Sequence, residues 1–331
     1  MIISETPLRI SFVGGGTDLP AFYQQYGGAV LSTTIDKYVY VIVKERYDDL
    51  IVLNYSEKEI VNTVDQIKHG IIREALLQVG IYKGIEITTI ADIPSKGSGL
   101  GSSSSLAVGL LNALYAYIGI TKDSGILAEE ACCIEIERLG NPIGKQDQYA
   151  AAFGGLKLYE FLPDNKVIAK PLKLDLGNIL ELSSHLILVY TGLTRNASTI
   201  LGEQNKKTKA NAENLVEMSR MPHNVKDILE SCDFDKFGEY LELAWMRKKA
   251  LANQISSSDI DNLYEKGILA GAIGGKLLGA GGGGFILFYV PLDRQRLFLQ
   301  KMRSEYKVLP FRFNRYGSRI IFNTGRNEPM I

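Results

Sequence analysis

The sequence predicts an α+β fold in two domains, and three observations support that expectation. The chain has 331 residues, which is long for a single hydrophobic core. Strand-like and helix-like segments alternate up to about residue 180, and a long helical stretch follows one strand-like run after it. Strand patterns then return around one further helix. We therefore expect one domain over residues 1–180 and a second over residues 181–331, each with helices packed on strands.

The spacing of apolar residues locates the elements of the first half. Alternating apolar residues indicate strands, and apolar residues repeating every three to four positions indicate helices. The predicted strands are Leu8–Val13, Val30–Thr34, Tyr38–Lys44, Ile51–Asn54, Gly84–Ile90, Gly155–Phe161 and Val167–Leu172. The predicted helices are Ile67–Val79, Ser103–Ile118, Ser124–Leu139 and one that starts near Gly144.

The second half begins with a strand-like run and is then mostly helical. The predicted strand His185–Thr191 is followed by helices at Ala197–Met218, Val225–Ser231, Phe234–Asn253 and Asp259–Ala270. The remaining predictions are a strand at Phe285–Val290, a helix at Arg294–Ser304 and strands near Val308–Asn314 and Arg319–Asn323. Strands on one face and helices on the other would complete this domain.

Composition argues against several functional classes. Lys+Arg and Asp+Glu both total 37, so the net charge is zero, and a nucleic-acid partner is not expected. No uncharged apolar run reaches the length that spans a bilayer, and the start at Met1–Glu5 lacks the features of a signal peptide. Three cysteines, two of them adjacent, suit reduced thiols. We expect a cytoplasmic protein that acts on small molecules, with no membrane partner.

Residues 94–105 carry the strongest functional signal. They read Pro-Ser-Lys-Gly-Ser-Gly-Leu-Gly-Ser-Ser-Ser-Ser and run directly into the apolar segment Leu106–Tyr117. Glycine lets backbone N–H groups approach a ligand, and a helix N-terminus adds unpaired donors and a positive dipole end. Together these features favour a polyphosphate site. The spacing fits neither the P-loop nor the dinucleotide motif, and a flexible Gly/Ser loop is the alternative.

The segment Arg9–Asp18 combines an arginine on a strand with a glycine turn. The turn presents Thr17 and Asp18, whose hydroxyl and carboxylate could bind sugar hydroxyls. Asp18 could equally cap a short helix that follows it. The residues alone leave both interpretations open.

Two further segments combine glycine with residues able to carry chemistry. A helix ends at Gly140, and Lys145 and Asp147 follow before a run of alanines. Asp147 could be a base, a metal ligand or only a helix cap. The run Gly279–Gly284 precedes a strand and could admit a ligand or form a flexible loop. Phosphoryl transfer needs a phosphate cradle, Mg²⁺ with neutralising cations, and a carboxylate near the acceptor hydroxyl. The sequence offers each of these parts.

These segments, in this order, resemble the GHMP kinases. Pro94–Ser105 looks like the phosphate-binding motif of that superfamily, Gly279–Phe285 like its C-terminal glycine motif and Arg9–Asp18 like its N-terminal motif. Within the superfamily, Gly14–Pro20 and Gly144–Tyr149 most resemble the D-glycero-D-manno-heptose 7-phosphate kinases. The resemblance implies a ribosomal-S5-like N-terminal domain that binds ATP and a ferredoxin-like C-terminal domain. It also implies phosphorylation of the anomeric hydroxyl of the heptose 7-phosphate, on the route to GDP-heptose.

The resemblance also implies roles for individual residues. Asp147 would accept the proton of the acceptor hydroxyl, Arg9 would stabilise charge beside it, and Mg²⁺ would bind Ser103 and Glu135, with Glu137 as the alternative. The ATP phosphates would contact Gly97, Ser98, Gly99, Leu100, Gly101, Ser102, Ser103 and Ser104. The acceptor would contact Gly15, Gly16, Thr17, Asp18, Lys145, Thr191, Arg195 and Gly282. The guanidinium of Arg195 would pair with the substrate phosphate, unless Arg195 is a surface charge.

Alternatives within and outside this activity remain open. Galactokinases carry Gly-Glu-His where this chain has Gly14-Gly15-Gly16, which argues against galactose as the first choice, and fucose, galactose or another hexose is the second choice. A non-catalytic protein that senses sugar and ATP could share the fold. The presence of the whole residue set favours an enzyme, acting as a monomer or a homodimer.

Overall fold

Two β-sheets organise the chain in the computed structural model, which describes residues 1–93, 97–194 and 197–324. The first seven strands belong to the larger sheet: β1 (Ile2–Val13), β2 (Gly28–Glu45), β3 (Ile51–Asn54), β4 (Lys58–Val61), β5 (Ile85–Ala91), β6 (Lys157–Phe161) and β7 (Val167–Pro171). The smaller sheet contains β8 (Leu186–Tyr190), β9 (Gly274–Leu277), β10 (Phe285–Tyr289) and β11 (Val308–Leu309), in the order β11-β8-β10-β9. The fold is α+β, as the sequence predicts.

The last two strands return to the larger sheet. β12 (Phe313–Asn314) pairs with β2, and β13 (Arg319–Asn323) pairs antiparallel with β1. The main path through this sheet is β13-β1-β2-β5-β3-β4, with β6 and β7 joined to it through β2. β1, which carries Arg9, therefore lies between β13 and β2. The division into domains at residue 180 stays a prediction.

Helices cover both sheets. Those of the first half are α1 (Pro20–Tyr26), α2 (Gly70–Val79), α3 (Ser102–Tyr117), α4 (Ser124–Cys132) and α5 (Gln146–Phe153). A short 3₁₀ turn at Val64–Gln66 precedes α2, and a π-helical segment at Cys133–Arg138 continues α4. The others are α6 (Leu176–Ser184), α7 (Ala197–Lys206), α8 (Ala212–Glu230), α9 (Phe234–Lys249), α10 (Ser258–Leu269) and α11 (Gln295–Arg303).

The longest strand corrects one prediction from the sequence. The sequence predicts two separate strands in this stretch, whereas β2 continues without a break. The residues between the two predicted strands stay extended because β12 lies beside them. Ile35 pairs with Phe313, and the Asp36 backbone N–H donates to the Arg312 carbonyl at 2.9 Å. Tertiary pairing thus overrides a local polar break.

The helical stretch after β8 also divides differently from the prediction. The sequence predicts a break between Met218 and Val225, whereas the break follows Lys206 and α8 runs through Pro222. A proline inside a helix removes a hydrogen bond and costs about 3 kcal/mol. The Pro222 ring packs on the glycine turn after β1, where a Cβ on Gly14 would lie 2.7 Å from Pro222 Cγ. This packing offsets the cost and fixes the turn against α8.

The apolar pattern does not predict strands β4 and β9 or helix α6, whereas α1 is the short helix expected after Asp18 in one of the two interpretations of that segment. The sequence pattern does not predict β9, because this strand begins with Gly274 and Gly275 and so shows no alternation of apolar residues. A Cβ on Gly275 would lie 2.5 Å from the Leu287 carbonyl oxygen of β10, so glycine allows this pairing.

Two hydrophobic cores hold the layers together, and they meet at β1. One core lies under α2, α3, α4 and α5, on the larger sheet. The other packs α9 and α10 against the smaller sheet and α8 against α9 and strands β1 and β2, with Trp245 fully buried. Phe12 of β1 belongs to this second core, and its ring meets Phe237 of α9 edge-on at 5.2 Å. The end of β1 is therefore fixed between the two sheets. In the described ranges, no helix combines the length and apolar character needed to pass through a lipid bilayer.

Candidate active site between the two sheets

A glycine-rich loop between β5 and α3 forms one wall of the candidate site. Gly97, Gly99 and Gly101 have φ angles of 73°, 74° and 79°, a region that favours glycine. Gly101 is the N-cap residue of α3, and no side chain caps that end of the helix. The first backbone N–H groups of α3 therefore have no side-chain partner. This is the arrangement that binds phosphate or another anion.

The C-terminal glycine run packs directly on this loop. A Cβ on Gly99 would lie 2.6 Å from the Leu278 carbonyl oxygen, and a Cβ on Gly279 would lie 2.5 Å from Gly99 Cα. A Cβ on Gly284 would lie 2.5 Å from the Ser98 carbonyl oxygen. The two segments thus meet backbone to backbone, so the run is an ordered packing surface.

Arg9 and Asp147 form a bidentate ion pair next to the loop. Arg9 Nε donates to Asp147 Oδ1 at 2.7 Å, and Nη2 donates to Oδ2 at 2.6 Å. Nη1 donates to the Gly99 carbonyl at 2.6 Å. Such a fork fixes both the position and the plane of the carboxylate. Asp147 lies in the first turn of α5, but the N-cap position belongs to Lys145, so Asp147 is not the N-cap of that helix.

Glu135 lies buried beneath the start of α3. It comes from the π-helical segment, a feature that is frequent at functional sites. Ser103 Oγ donates to its Oε1, and Gln148 Nε2 donates to its Oε2 at 2.7 Å. Burial raises the pKa of Glu135 above its usual value, although these hydrogen bonds oppose the shift. No group of three or more His, Cys, Asp or Glu side chains within the described ranges could hold a metal ion by itself.

Asp18 stabilises the glycine turn from inside. Its carboxylate accepts from the Gly16 backbone N–H at 2.9 Å and from the Gln146 backbone N–H at 3.2 Å. Burial raises the pKa of Asp18, and the nearby charge of Asp147 adds to this increase. The N-cap residue of α1 is Leu19, so Asp18 does not cap that helix. Its carboxylate instead links the turn to the start of α5.

A cavity of about 240 Å³ connects these groups. Of the residues predicted for the site, it is lined by Arg9, Gly16, Asp18, Gly97, Ser98, Gly99, Gly101, Ser102, Ser103, Ser104, Glu135 and Asp147. The structure therefore brings together the predicted phosphate loop, the carboxylates and the arginine. Leu100 is buried away from the cavity, and its carbonyl accepts from the Arg9 backbone N–H at 3.0 Å.

Other predicted acceptor residues lie behind or beside this cavity. The buried Thr17 hydroxyl donates to the Gly14 and Ala29 carbonyls, and so it closes the turn. Lys145 Nζ donates to the Asn165 carbonyl, and Thr191 Oγ1 donates to the Gly284 carbonyl. Gly15 and Gly282 do not line the cavity either. Arg195 lies outside the described residues. Contact of these residues with an acceptor stays a prediction.

Four polar residues of the cavity wall were not predicted from the sequence: Asn141, Gln146, Gln204 of α7 and Lys248 of α9. Lys248 is buried, and its Nζ donates to the Gly279 carbonyl at 2.5 Å. Burial is the main cause that lowers its pKa to about 8; the charge of Arg9 acts in the same direction, and the carboxylates of Asp18 and Asp147 oppose the shift. Lys248 lies within the run Arg-Lys-Lys, which is typical of an exposed last helical turn, so no local signal marked it.

Both halves of the chain match models of known protein families. The family model for the GHMP kinases N terminal domain matches residues 52–155, and the model for the GHMP kinases C terminal region matches residues 219–308. A D-glycero-alpha-D-manno-heptose 7-phosphate kinase of Campylobacter jejuni is 32% identical, covering 96% of this chain and 97% of the relative. A galactokinase of Pyrococcus furiosus is 28% identical, covering 92% of this chain and 93% of the relative.

Among solved structures, one similar protein is a D-glycero-D-manno-heptose 1-phosphate kinase from Bacteriodes thetaiotaomicron. It superposes with a TM-score of 0.83 at 28% identity, over 98% of this chain and 100% of that one. The likeness therefore extends over the whole architecture as well as the motifs.

Replacing Lys248 by methionine should stabilise the protein without ligand at pH 7. The ammonium is destabilised by burial, because its pKa is about 8 in the folded chain and 10.5 in the unfolded one. We expect a gain of roughly 1–3 kcal/mol in the free energy of unfolding. The cost is fully present below pH 8 and declines as the pH approaches 10.5, so the gain should shrink over that interval. Urea unfolding at pH 7 and pH 10 measures both values.

Lys249→Met is the matched control on the same helix. Lys249 is partly exposed and pairs with Asp261 at 3.3 Å, so its loss should bring no gain in stability. A less stable Lys248→Met variant at pH 7 would contradict the prediction, because the buried ammonium would then be stabilising through its bond to Gly279.

Proposed function

The chain belongs to the GHMP kinase family, and we propose that it is a sugar 1-kinase that depends on ATP and Mg²⁺. Its acceptor is D-glycero-D-manno-heptose 7-phosphate, and its product is the 1,7-bisphosphate. The observation that carries this proposal is the Arg9–Asp147 pair, which holds a carboxylate at the edge of the phosphate loop. The name of the Campylobacter relative supports the choice of sugar.

Asp147 is the proposed base for the acceptor hydroxyl. Each oxygen of its carboxylate accepts one bond from Arg9, which leaves lone pairs on both oxygens for the hydroxyl proton. The side chain is 23% exposed, and that exposure is toward the cavity it lines. Because Arg9 also binds the Gly99 carbonyl, the base has a fixed position relative to the loop that would hold the transferred phosphate.

The phosphate loop and the N-terminus of α3 are the proposed site for the ATP phosphates. Backbone N–H groups at an uncapped helix end bind phosphate oxygens and favour negative charge. Arg9 lies beside them and would stabilise the charge that develops on the moving group. Acceptor and phosphate would therefore meet between the loop and Asp147.

Ser103 and Glu135 fit a magnesium ion. A hydroxyl and a carboxylate are oxygen ligands of the kind that Mg²⁺ takes together with substrate phosphates. Glu135 is fully buried, and its hydrogen-bond partners in the described part of the chain are neutral groups, so a cation would balance its charge. When bound, Mg²⁺ would neutralise charge on the phosphate oxygens.

Two alternatives to this function can be separated by an ADP-release assay with several sugars. A galactose- or fucose-type acceptor would keep the phosphate loop and the Asp147 base, and the galactokinase relative favours this alternative. A non-catalytic sensor would bind ATP and form no ADP. The complete set of Arg9, Ser103, Glu135 and Asp147 around one cavity supports an enzyme.

A panel of sugars in an ADP-release assay tests the acceptor. We expect kcat/KM for the heptose 7-phosphate to exceed that for galactose, fucose and the dephosphorylated heptose by at least about 100-fold, because a site that bonds a polar group rejects analogues lacking it. Phosphorus NMR of the product should show a second phosphate on the anomeric carbon. Equal activity with galactose or fucose would reject the heptose, and absence of ADP with every sugar despite ATP binding would favour the sensor.

Replacing Asp147 by asparagine should lower kcat by about 10²–10⁴-fold, because the amide cannot accept the proton. ATP affinity should change less than about twofold, since the loop backbone is untouched. Asp164→Asn is the control, because this exposed aspartate pairs only with Lys166 in the described part of the chain. Normal turnover of the Asp147 variant would remove this residue from the mechanism.

The contact between the two glycine segments gives a third test. Gly99→Ala places an alanine in the left-handed backbone region, at a φ of 74°. Its Cβ would lie 2.6 Å from the Leu278 carbonyl oxygen, and this contact would push the two glycine segments apart. Gly119→Ala adds the same strain of roughly 1 kcal/mol at a φ of 79°, with nothing within 4 Å of the new Cβ. We expect KM for ATP to rise at least about tenfold in the first variant only. Equal values for the two variants would show that the packing has no part in nucleotide binding.

A further inference from the structure

A buried carboxamide without a protein partner faces the cavity. The side chain of Gln204 is 1% exposed, and neither its Oε1 nor its Nε2 has a hydrogen-bond partner in the described part of the chain. Leaving such a buried group unpaired costs the free energy of removing it from water without a compensating hydrogen bond. Native proteins rarely tolerate this cost unless the group serves another purpose. Gln204 lines the same cavity as Asp18 and Asp147, so its unpaired amide belongs to a residue of the wall that a ligand would contact.

The glycine turn leaves room for this carboxamide. A Cβ on Gly16 would lie 2.3 Å from Gln204 Nε2, so any larger residue would displace the amide. The Gly16 backbone N–H donates to Asp18, and Gly16 thus separates the carboxamide from a buried carboxylate. The amide offers donors and acceptors, and the carboxylate offers acceptors. Hydroxyl groups, which both donate and accept, complement this pair.

The other side of the turn carries a cation. Lys248 Nζ would lie 3.8 Å from a Cβ on Gly15, and it makes one hydrogen bond, to the Gly279 carbonyl, among the described residues. An ammonium has three donors, so two of them can reach oxygen atoms of a ligand. Amide, carboxylate and ammonium groups around a single turn suit a polyhydroxylated ligand better than an apolar or flat one.

We propose that Gln204 binds two hydroxyl groups of the acceptor sugar, with Nε2 donating to one and Oε1 accepting from the other. This inference rests on the proposed kinase activity and deepens it, because it makes α7 part of the acceptor site. The carboxamide is then a specificity residue that reads the sugar, and it takes no part in the proton transfer at Asp147.

Gln204→Leu tests the proposal, because leucine has a similar size and no polar atoms. We expect KM for the heptose 7-phosphate to rise about 10–100-fold, as the loss of two hydrogen bonds implies, while KM for ATP stays within about twofold. The melting temperature without ligand should stay the same or rise, since the variant removes a buried unpaired amide. A purely structural glutamine would instead lower the melting temperature and weaken both substrates.

Deoxy analogues of the acceptor make the test specific to hydroxyl groups. The wild type should lose roughly tenfold in kcat/KM for an analogue that lacks a hydroxyl bonded by Gln204, and the Gln204→Leu variant should not distinguish it from the parent sugar. Glu203→Gln is the control on the same helix, because Glu203 pairs with Lys207 at 2.6 Å away from the cavity wall. It should leave KM for the sugar unchanged.

The results separate this proposal from the function on which it rests. If the wild type forms no ADP with any sugar, the proposed function fails. If the wild type phosphorylates a sugar and Gln204→Leu does so with unchanged KM, the carboxamide does not bind the acceptor and the proposal is overturned. Retained discrimination among deoxy analogues in the variant would overturn it as well.

Discussion

The guanidinium of Arg9 is the interaction on which the geometry of the site depends. One planar group binds both oxygens of Asp147 and the carbonyl of Gly99, while the Arg9 backbone N–H binds Leu100. A strand, a loop and a helix that are distant in the sequence are thereby held at fixed distances. Arginine is suited to this position because its donors form a rigid fork, which the single ammonium of a lysine does not.

The second constraint is the close approach of backbone to backbone between the two halves of the chain. Gly99 and Gly279 leave no room for a Cβ on either side, so the loop wall is formed by both halves. Lys276 adds one contact at this junction, since its buried Nζ donates to the Phe12 carbonyl at 2.7 Å. The first strand is thus held at its end by the C-terminal sheet, and the cavity cannot widen without breaking these contacts.

The sequence was most informative where the chemistry is local. Loop 97–101, the start of α3 and the acidic residues beside turns could be predicted, because glycine spacing and helix patterns report on the backbone within a few residues. Gln204 and Lys248 could not be predicted, since each lies in a polar helical stretch and is buried only by tertiary packing. The unbroken β2 and the passage of α8 through Pro222 have the same cause, a neighbour distant in sequence.

Burial explains why Gln204 and Lys248 were not predicted from the sequence. It also indicates what the buried polar groups around the cavity do together. Asp18, Glu135, Gln204 and Lys248 are all buried around one cavity, and each is costly to desolvate. Hydrogen bonds offset the cost of burying the two carboxylates. In the described part of the chain, Lys248 has a single hydrogen bond and the Gln204 amide has none. Among these four residues, the unpaired donors and acceptors are therefore those of Gln204 on α7 and Lys248 on α9. In the proposed mechanism the loop backbone, Arg9 and the magnesium ligands bind the phosphates, so the polar groups of α7 and α9 would be free to contact the acceptor.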